Sequence, residues 1–105
     1  MDNKPESIFI GYFSLQSHLC EVVNICATFD EKLAIKIVFD FIDNDQYYVN
    51  DLFRSPLTED EIQNVHNIND FNRLITSKKY YEGESWDLNK FEIWDLKIVC
   101  VKINY

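Results

Sequence analysis

The chain has 105 residues, a formal net charge of −8 and 47% hydrophobic residues. That hydrophobic content excludes a disordered chain, and the length suffices for a single domain, 1–105, whose core needs neither disulfides nor metal ions. Ten lysines and arginines stand against eighteen aspartates and glutamates. This balance argues against binding to nucleic acid or to an anionic membrane, because both require clustered cations.

The first seven residues, MDNKPES, lack the pattern of a signal peptide. No apolar run approaches the ~18 residues that a membrane-spanning helix requires. We therefore expect a cytoplasmic protein. Three cysteines, Cys20, Cys26 and Cys100, lie among apolar or β-branched neighbours and outside any metal-ligand spacing. We expect them to be buried free thiols, since free cysteine is among the most buried residue types.

The first two elements along the chain are predicted strands. Residues 8–15 (IFIGYFSL) carry β-branched and aromatic types on both faces. Residues 21–29 (EVVNICATF) are also rich in β-branched types, which favours a second strand, and a helix over about 17–27 is the alternative. A polar break at 16–19 separates the two elements.

The clearest alternation of apolar and polar residues lies in residues 33–42. Its apolar positions at a spacing of two are Leu33, Ile35, Ile37, Phe39 and Phe41. This period predicts a third strand. Asp30, Glu31 and Lys32 would form a short polar connection, so we expect this strand to pair with residues 21–29 as an antiparallel hairpin.

Residues 57–77 form the predicted helical part of the chain. Thr58 is followed three residues later by Glu61, which is the capping-box pattern of a helix start. Apolar residues then recur at every third position from Ile62 to Leu74, a spacing that drifts by about 60° per step around a helix. One straight helix cannot bury them all. We predict a first helix over 58–67 and a second one that begins near Asp70.

The last element is a predicted strand over residues 91–103 (FEIWDLKIVCVKI), which is apolar on both faces. Such a strand is expected at the centre of a sheet. The order of strands first, helices in the middle and a closing strand predicts an α+β fold. We expect a mostly antiparallel sheet of four to five strands with one or two helices packed on one face.

Motifs that carry chemistry are lacking in this sequence. The two histidines and three cysteines have no zinc-ligand spacing, and the two glycines belong to no phosphate-binding loop. Residues 43–45 (DND) resemble the start of a calcium-binding EF-hand loop, but the glycine and the final glutamate of that loop are absent. We therefore expect no catalytic residue, no cofactor and no metal site.

The strongest functional signal is an acidic segment, residues 40–61. It holds six of the eight net negative charges, because seven carboxylates face one cation, Arg54. Clustered carboxylates repel one another unless a cationic surface neutralises them, and the aromatic residues of this segment would supply contact area. We therefore expect it to bind a basic protein. The predicted partner-binding residues are Asp43, Asp45, Tyr47, Tyr48, Asp51, Glu59 and Asp60.

In size, acidity and lack of catalytic motifs, the chain resembles bacterial toxin-immunity proteins. The resemblance implies an inhibitor that blocks the active site of a basic toxin, with a nuclease as the leading candidate because nuclease active sites are cationic. The alternative is a structural or adaptor subunit that forms a homo-oligomer through its sheet, since a strand that is apolar on both faces needs cover on both sides. A third hypothesis is an enzyme or small-ligand binder with a pocket of unfamiliar type.

Overall fold

The computed structural model describes residues 6–16, 20–44, 49, 53, 55–79 and 93–103. Within these residues the protein has the predicted α+β fold, with a three-stranded antiparallel sheet and three helices. In chain order the elements are β1 (Ser7–Gln16), β2 (Cys20–Thr28), α1 (Glu31–Asp43), α2 (Glu59–Gln63), α3 (Ile68–Lys78) and β3 (Ile93–Lys102). The predicted fourth and fifth strands are not found in this part of the chain, and the helices outnumber the one or two predicted.

The strand order is β2-β1-β3, which places β1 at the centre of the sheet. The strand predictions for β1 and β2 are confirmed, and the helix alternative for residues 17–27 is wrong. β3 is a strand as predicted, but it lies at an edge of the sheet, so the predicted central position is wrong. Gly11 faces Cys26 while the next residue, Tyr12, faces Asn24. Ile25 is therefore the extra residue of a β-bulge, which increases the local twist of β2.

Residues 33–42 belong to helix α1, so the predicted strand and its hairpin with residues 21–29 are wrong. The helix begins because the carboxylate of Asp30 accepts hydrogen bonds from the backbone N–H groups of Lys32 (3.0 Å) and Leu33 (3.3 Å). Such an N-cap satisfies donors that a helix start leaves free. The apolar residues also match helical spacing, and the buried ones are Ala34, Ile35, Val38, Phe41 and Ile42.

Helix α1 packs on the sheet face that carries Phe13, and Gly11 lies at this contact. A Cβ atom at Gly11 would lie 2.6 Å from Cγ2 of Val38 and 3.1 Å from Sγ of Cys26. Both distances are shorter than an ordinary van der Waals contact. Gly11 is therefore needed for space, because any side chain here would push α1 away from β1.

Helix α3 packs beside β3 and binds its outer edge. The Asn72 side-chain amide donates a hydrogen bond to the Ile98 carbonyl (2.9 Å), and the Ile98 N–H donates to Oδ1 of Asn72 (3.0 Å). The Asn72 side chain thus occupies hydrogen-bonding positions that another strand would use. Within the described residues, no helix has the length and apolar composition needed to cross a bilayer.

The two thiols whose surroundings the structure describes differ in burial. Cys26 is half-buried and Cys100 is exposed, and both are free. The prediction of a buried thiol is therefore wrong for Cys100, because β3 lies at the sheet edge and not at its centre. The side chain of Cys20 lies outside the described part of the structure.

We predict that Gly11→Ala lowers the free energy of unfolding by about 1–3 kcal/mol, the usual cost of overpacking a filled core. The new methyl group would meet Val38, which is fully buried and is held between α1 and the sheet. Urea unfolding followed by circular dichroism measures the change.

The matched control is the same substitution in a Val38→Ala background, which lacks the clashing Cγ2 atom. There the cost of Gly11→Ala should fall by about 1 kcal/mol or more, because residues in contact are energetically coupled. If Gly11→Ala lowers the free energy of unfolding by the same amount in both backgrounds, contact between residue 11 and Val38 does not limit how closely α1 packs on β1.

Candidate functional site

The end of α1 and the start of α2 enclose a groove with a volume of about 290 Å³. We call it the α1–α2 groove, and its lining residues are Phe39, Asp40, Ile42, Asp43, Pro56, Leu57 and Ile62. Five of these are apolar and two are aspartates from the last turn of α1. The groove therefore combines an apolar surface with two carboxylates.

The α1 side of the groove is fixed by an aromatic contact with α3. The rings of Phe39 and Phe71 pack edge to face, with their centroids 5.1 Å apart. Phe71 is fully buried, so Phe39 is held on a rigid support. Asp40, one residue further along α1, forms an exposed ion pair with Lys36 at 3.8 Å, and a pair of this kind contributes little to stability.

Asp43 lies exposed in the last turn of α1, which contains no basic residue. The C-terminus of a helix carries a partial negative charge, so a carboxylate there is unfavourable by about 0.3–1 kcal/mol. Among the described residues Asp43 has no ion-pair partner. The described contacts of α1 therefore do not account for Asp43.

The α2 side of the groove begins with the predicted capping box, which is confirmed. The Thr58 N–H donates to Oε1 of Glu61 (3.0 Å), and the Glu61 N–H donates to Oγ1 of Thr58 (3.2 Å). The helix ends at Gln63 and is shorter than the predicted span of 58–67. Leu57 and Ile62 occupy the two positions of a hydrophobic staple around this cap, and both line the groove.

Lys78, the last residue of α3, holds the α2 side in place. Its ammonium nitrogen lies 2.9 Å from Oε1 of Glu61, 3.1 Å from Oγ of Ser55 and 3.3 Å from the Pro56 carbonyl oxygen. The Lys78 side chain is only 12% exposed. The hydrogen bond from Lys78, followed by that from the Thr58 backbone, holds the pKa of Glu61 below its ordinary value of 4.5.

The structure brings one predicted partner-binding residue, Asp43, to the edge of the groove. Glu59 and Asp60 are exposed in the first turn of α2. They do not line the groove, and they are explained structurally, since carboxylates stabilise the positive end of a helix. Four predicted residues lie outside the described residues: Asp45, Tyr47, Tyr48 and Asp51.

The sequence-based site missed the apolar part of the groove and the carboxylate of Asp40. The acidic segment includes Asp40, but the predicted partner-binding residues do not. Leu57 and Ile62 had a usable signal, because they flank the capping box at staple positions. No sequence pattern indicated that Phe39 and Ile42 belong to the same site, because the strand predicted over 33–42 places them on opposite faces.

A second concavity, of about 360 Å³, lies at the other end of α1. It is lined by Lys32, Ile35, Val65 and His66. It contains none of the predicted site residues, and its polar lining groups are the ammonium of Lys32 and the imidazole of His66. No group of three histidine, cysteine, aspartate or glutamate side chains suited to a metal ion occurs among the residues that the structure describes.

We predict that the stabilising effect of Glu61 depends on pH. A carboxylate whose pKa is lowered on folding stabilises the folded state above its unfolded pKa, and this stabilisation is lost as the pH falls through the lower, folded-state value. Glu61→Gln should therefore be less stable than the wild type at pH 7, and the two should converge below pH 4.5. Thermal unfolding at a series of pH values measures this difference.

Glu59→Gln is the matched control, since Glu59 is an exposed acid of the same turn, and the described contacts of Lys78 are to Glu61, Ser55 and Pro56. Its stability difference from the wild type should change less with pH. A Glu61→Gln difference that stays constant from pH 7 to below pH 4.5 would contradict the assignment of the Lys78 contact.

Comparisons of the chain with family models, with curated proteins and with solved structures gave no match.

Proposed function

We propose that the protein is an inhibitor of the immunity type, which binds a basic toxin through the α1–α2 groove. The observation that carries the proposal is the groove itself, where an apolar surface adjoins the carboxylates of Asp40 and Asp43. A partner segment that combines apolar side chains with a lysine or an arginine would match both parts. We take a nuclease as the leading candidate because its active site must bind a polyanion and is therefore cationic.

The position of Asp43 supports a cationic partner. In the free protein its carboxylate lies at the negative end of α1, where the helix dipole disfavours it. A guanidinium or ammonium group placed there would interact favourably with both carboxylates and with the helix end. Binding would thus remove an unfavourable interaction that folding leaves in place.

The net charge supports fast association with such a partner. A charge of −8 creates a long-range attraction for a basic surface, which raises the association rate at low ionic strength. In this proposal the inhibitor acts in the cytoplasm by covering the cationic active site of the toxin. It performs no chemistry itself and needs no cofactor.

The direct test uses the protein encoded by the neighbouring gene. If that gene encodes a large secreted protein, its C-terminal domain should be purified and mixed with this chain. We expect a stoichiometric complex and loss of the nuclease activity of the domain. A basic toxin domain from that neighbour that neither binds nor is inhibited would refute the proposal.

We predict that Asp43→Lys slows association with this partner roughly tenfold, because charges at the edge of an interface act mainly on encounter. The same substitution should leave the melting temperature of the free protein unchanged or raise it, since a lysine suits the C-terminus of α1. Stopped-flow association and thermal unfolding measure the two effects.

Glu6→Lys is the matched control, because it changes the net charge equally at an exposed position next to β1 and outside the groove. It should slow association much less than Asp43→Lys. Equal effects of the two variants would mean that only total charge matters. An unchanged rate for Asp43→Lys would place the interface elsewhere.

A further inference from the structure

We infer that the concavity at the start of α1 is a binding site for a small organic carboxylate with an aliphatic body. We call it the His66 concavity, and the described residues that line it are Lys32, Ile35, Val65 and His66. The inference does not depend on the proposed inhibitor function, because the α1–α2 groove is lined by other residues.

The His66 concavity has the size and the composition of a small-molecule site. Its volume of about 360 Å³ lies near the lower end of the range for such sites, roughly 300–1,000 Å³. Its apolar part comes from Ile35, which is 7% exposed, and from the half-buried Val65. Ligand sites are mostly apolar and hold a small number of polar groups that orient the ligand. The ammonium of Lys32 and the imidazole of His66 are the polar groups here.

Hydrogen bonds fix the two walls of the concavity relative to each other. Oε2 of Glu31, in the first turn of α1, accepts a hydrogen bond from the Ile68 N–H at the start of α3 (3.1 Å). Oδ2 of Asp70 accepts one from the His66 N–H (3.1 Å). The backbone that carries His66 is thus held against the helix that carries Lys32. A site that is formed before the ligand arrives costs less entropy on binding.

The ammonium group of Lys32 is available to a ligand. Lys32 is exposed and forms no ion pair with any residue that the structure describes. The two carboxylates that directly precede it accept hydrogen bonds from backbone donors: Asp30 from the N–H groups of Lys32 and Leu33, and Glu31 from that of Ile68. The Lys32 ammonium beside an apolar concavity therefore matches a carboxylate from outside the chain.

The available donors favour a carboxylate over a phosphate. Phosphate sites commonly use the free backbone N–H groups of a helix start. Both helix starts next to the concavity are capped by side chains. Asp30 caps α1, and Asn67 caps α3 by accepting a hydrogen bond from the Asp70 N–H (2.8 Å). The side-chain donors of Lys32 and His66 remain, and they match the two oxygens of one carboxylate.

The carboxylates beside the concavity favour a ligand with a single negative charge. Glu31 directly precedes a lining residue of α1, and Asp70 accepts the hydrogen bond of the His66 N–H. These two groups repel a dianion about twice as strongly as a monoanion. Contact with Ile35 and Val65 must then supply part of the affinity, which requires an aliphatic body next to the carboxylate.

A titration with 4-methylpentanoate at neutral pH, followed in the amide NMR spectrum of the whole chain, tests the inference. The amide signals of Lys32, Ile35, Val65 and His66 should shift together, with a dissociation constant of about 1 mM. Two compounds serve as controls: 4-methylpentanamide keeps the aliphatic body without the charge, and inorganic phosphate carries charge without the body. Each should bind at least about tenfold more weakly, because each lacks one of the two contacts.

Three outcomes of this titration would overturn the inference. The first is that these amide signals do not shift up to about 50 mM 4-methylpentanoate, roughly fifty times the expected dissociation constant. The second is an equal affinity for 4-methylpentanamide, which would show that the charge is not recognised. The third is an equal affinity for phosphate, which would show that the apolar lining is not used.

Lys32→Met and His66→Leu should each weaken binding of 4-methylpentanoate about tenfold or more, since a hydrogen bond to a charged group is lost. Lys32→Arg keeps the charge and should retain most of the affinity. Lys36→Met is the matched control, because Lys36 is an exposed lysine one turn further along α1 that pairs with Asp40. It should leave the dissociation constant within about twofold of the wild type.

The variants can also contradict the inference. Equal weakening by Lys32→Met and Lys36→Met would mean that only the total charge of α1 matters. Unchanged binding in both Lys32→Met and His66→Leu would place the bound carboxylate elsewhere. Either result would overturn the site but would leave the proposed inhibitor function standing, because that function is tested at Asp43.

Discussion

The close approach of α1 to β1 at Gly11 is the constraint on which the remaining structure depends. Val38 can enter the core only because residue 11 has no side chain. With α1 seated there, Phe41 meets Phe13 at a ring distance of 6.3 Å, and Phe39 reaches Phe71 on α3. One missing side chain on the central strand therefore sets the position of the helical layer, and with it one side of the α1–α2 groove.

The role of each acidic residue depends on its position along a helix more than on the number of carboxylates in the segment. Glu59, Asp60 and Glu61 lie at the start of α2, where the helix dipole favours them, and Glu61 also binds Lys78. Asp43 lies at the end of α1, where the dipole disfavours it. The same residue type is therefore structural at one helix end and a candidate for binding at another, although the sequence presents both in one acidic segment.

The sequence predicted an element correctly where its residues fit only one type of secondary structure. β1, β2 and β3 were predicted from β-branched and aromatic content, and the start of α2 was predicted from Thr58 and Glu61. α1 was mistaken for a strand because Ile35 and Phe41 satisfy both the two-residue and the helical period. The deciding signal is Asp30, which the strand prediction assigns to a short polar connection but which acts as the N-cap of α1. That error also hid Phe39 and Ile42, since a groove between two helices cannot be predicted when one of them is assigned to the sheet.

The pairing of β1 with β3 has a consequence for how this protein acquires its fold. β1 pairs with β2 across a short connection, but it pairs with β3 across most of the described chain. Contacts this distant in sequence form slowly, because a long loop must close first. During synthesis Phe13 can meet Val38 early, whereas Leu96 and Ile98 arrive only after α3 has emerged. A chain that has emerged only as far as α3 leaves the β3-facing edge of the central strand without its partner, and an unpaired strand edge is prone to aggregation.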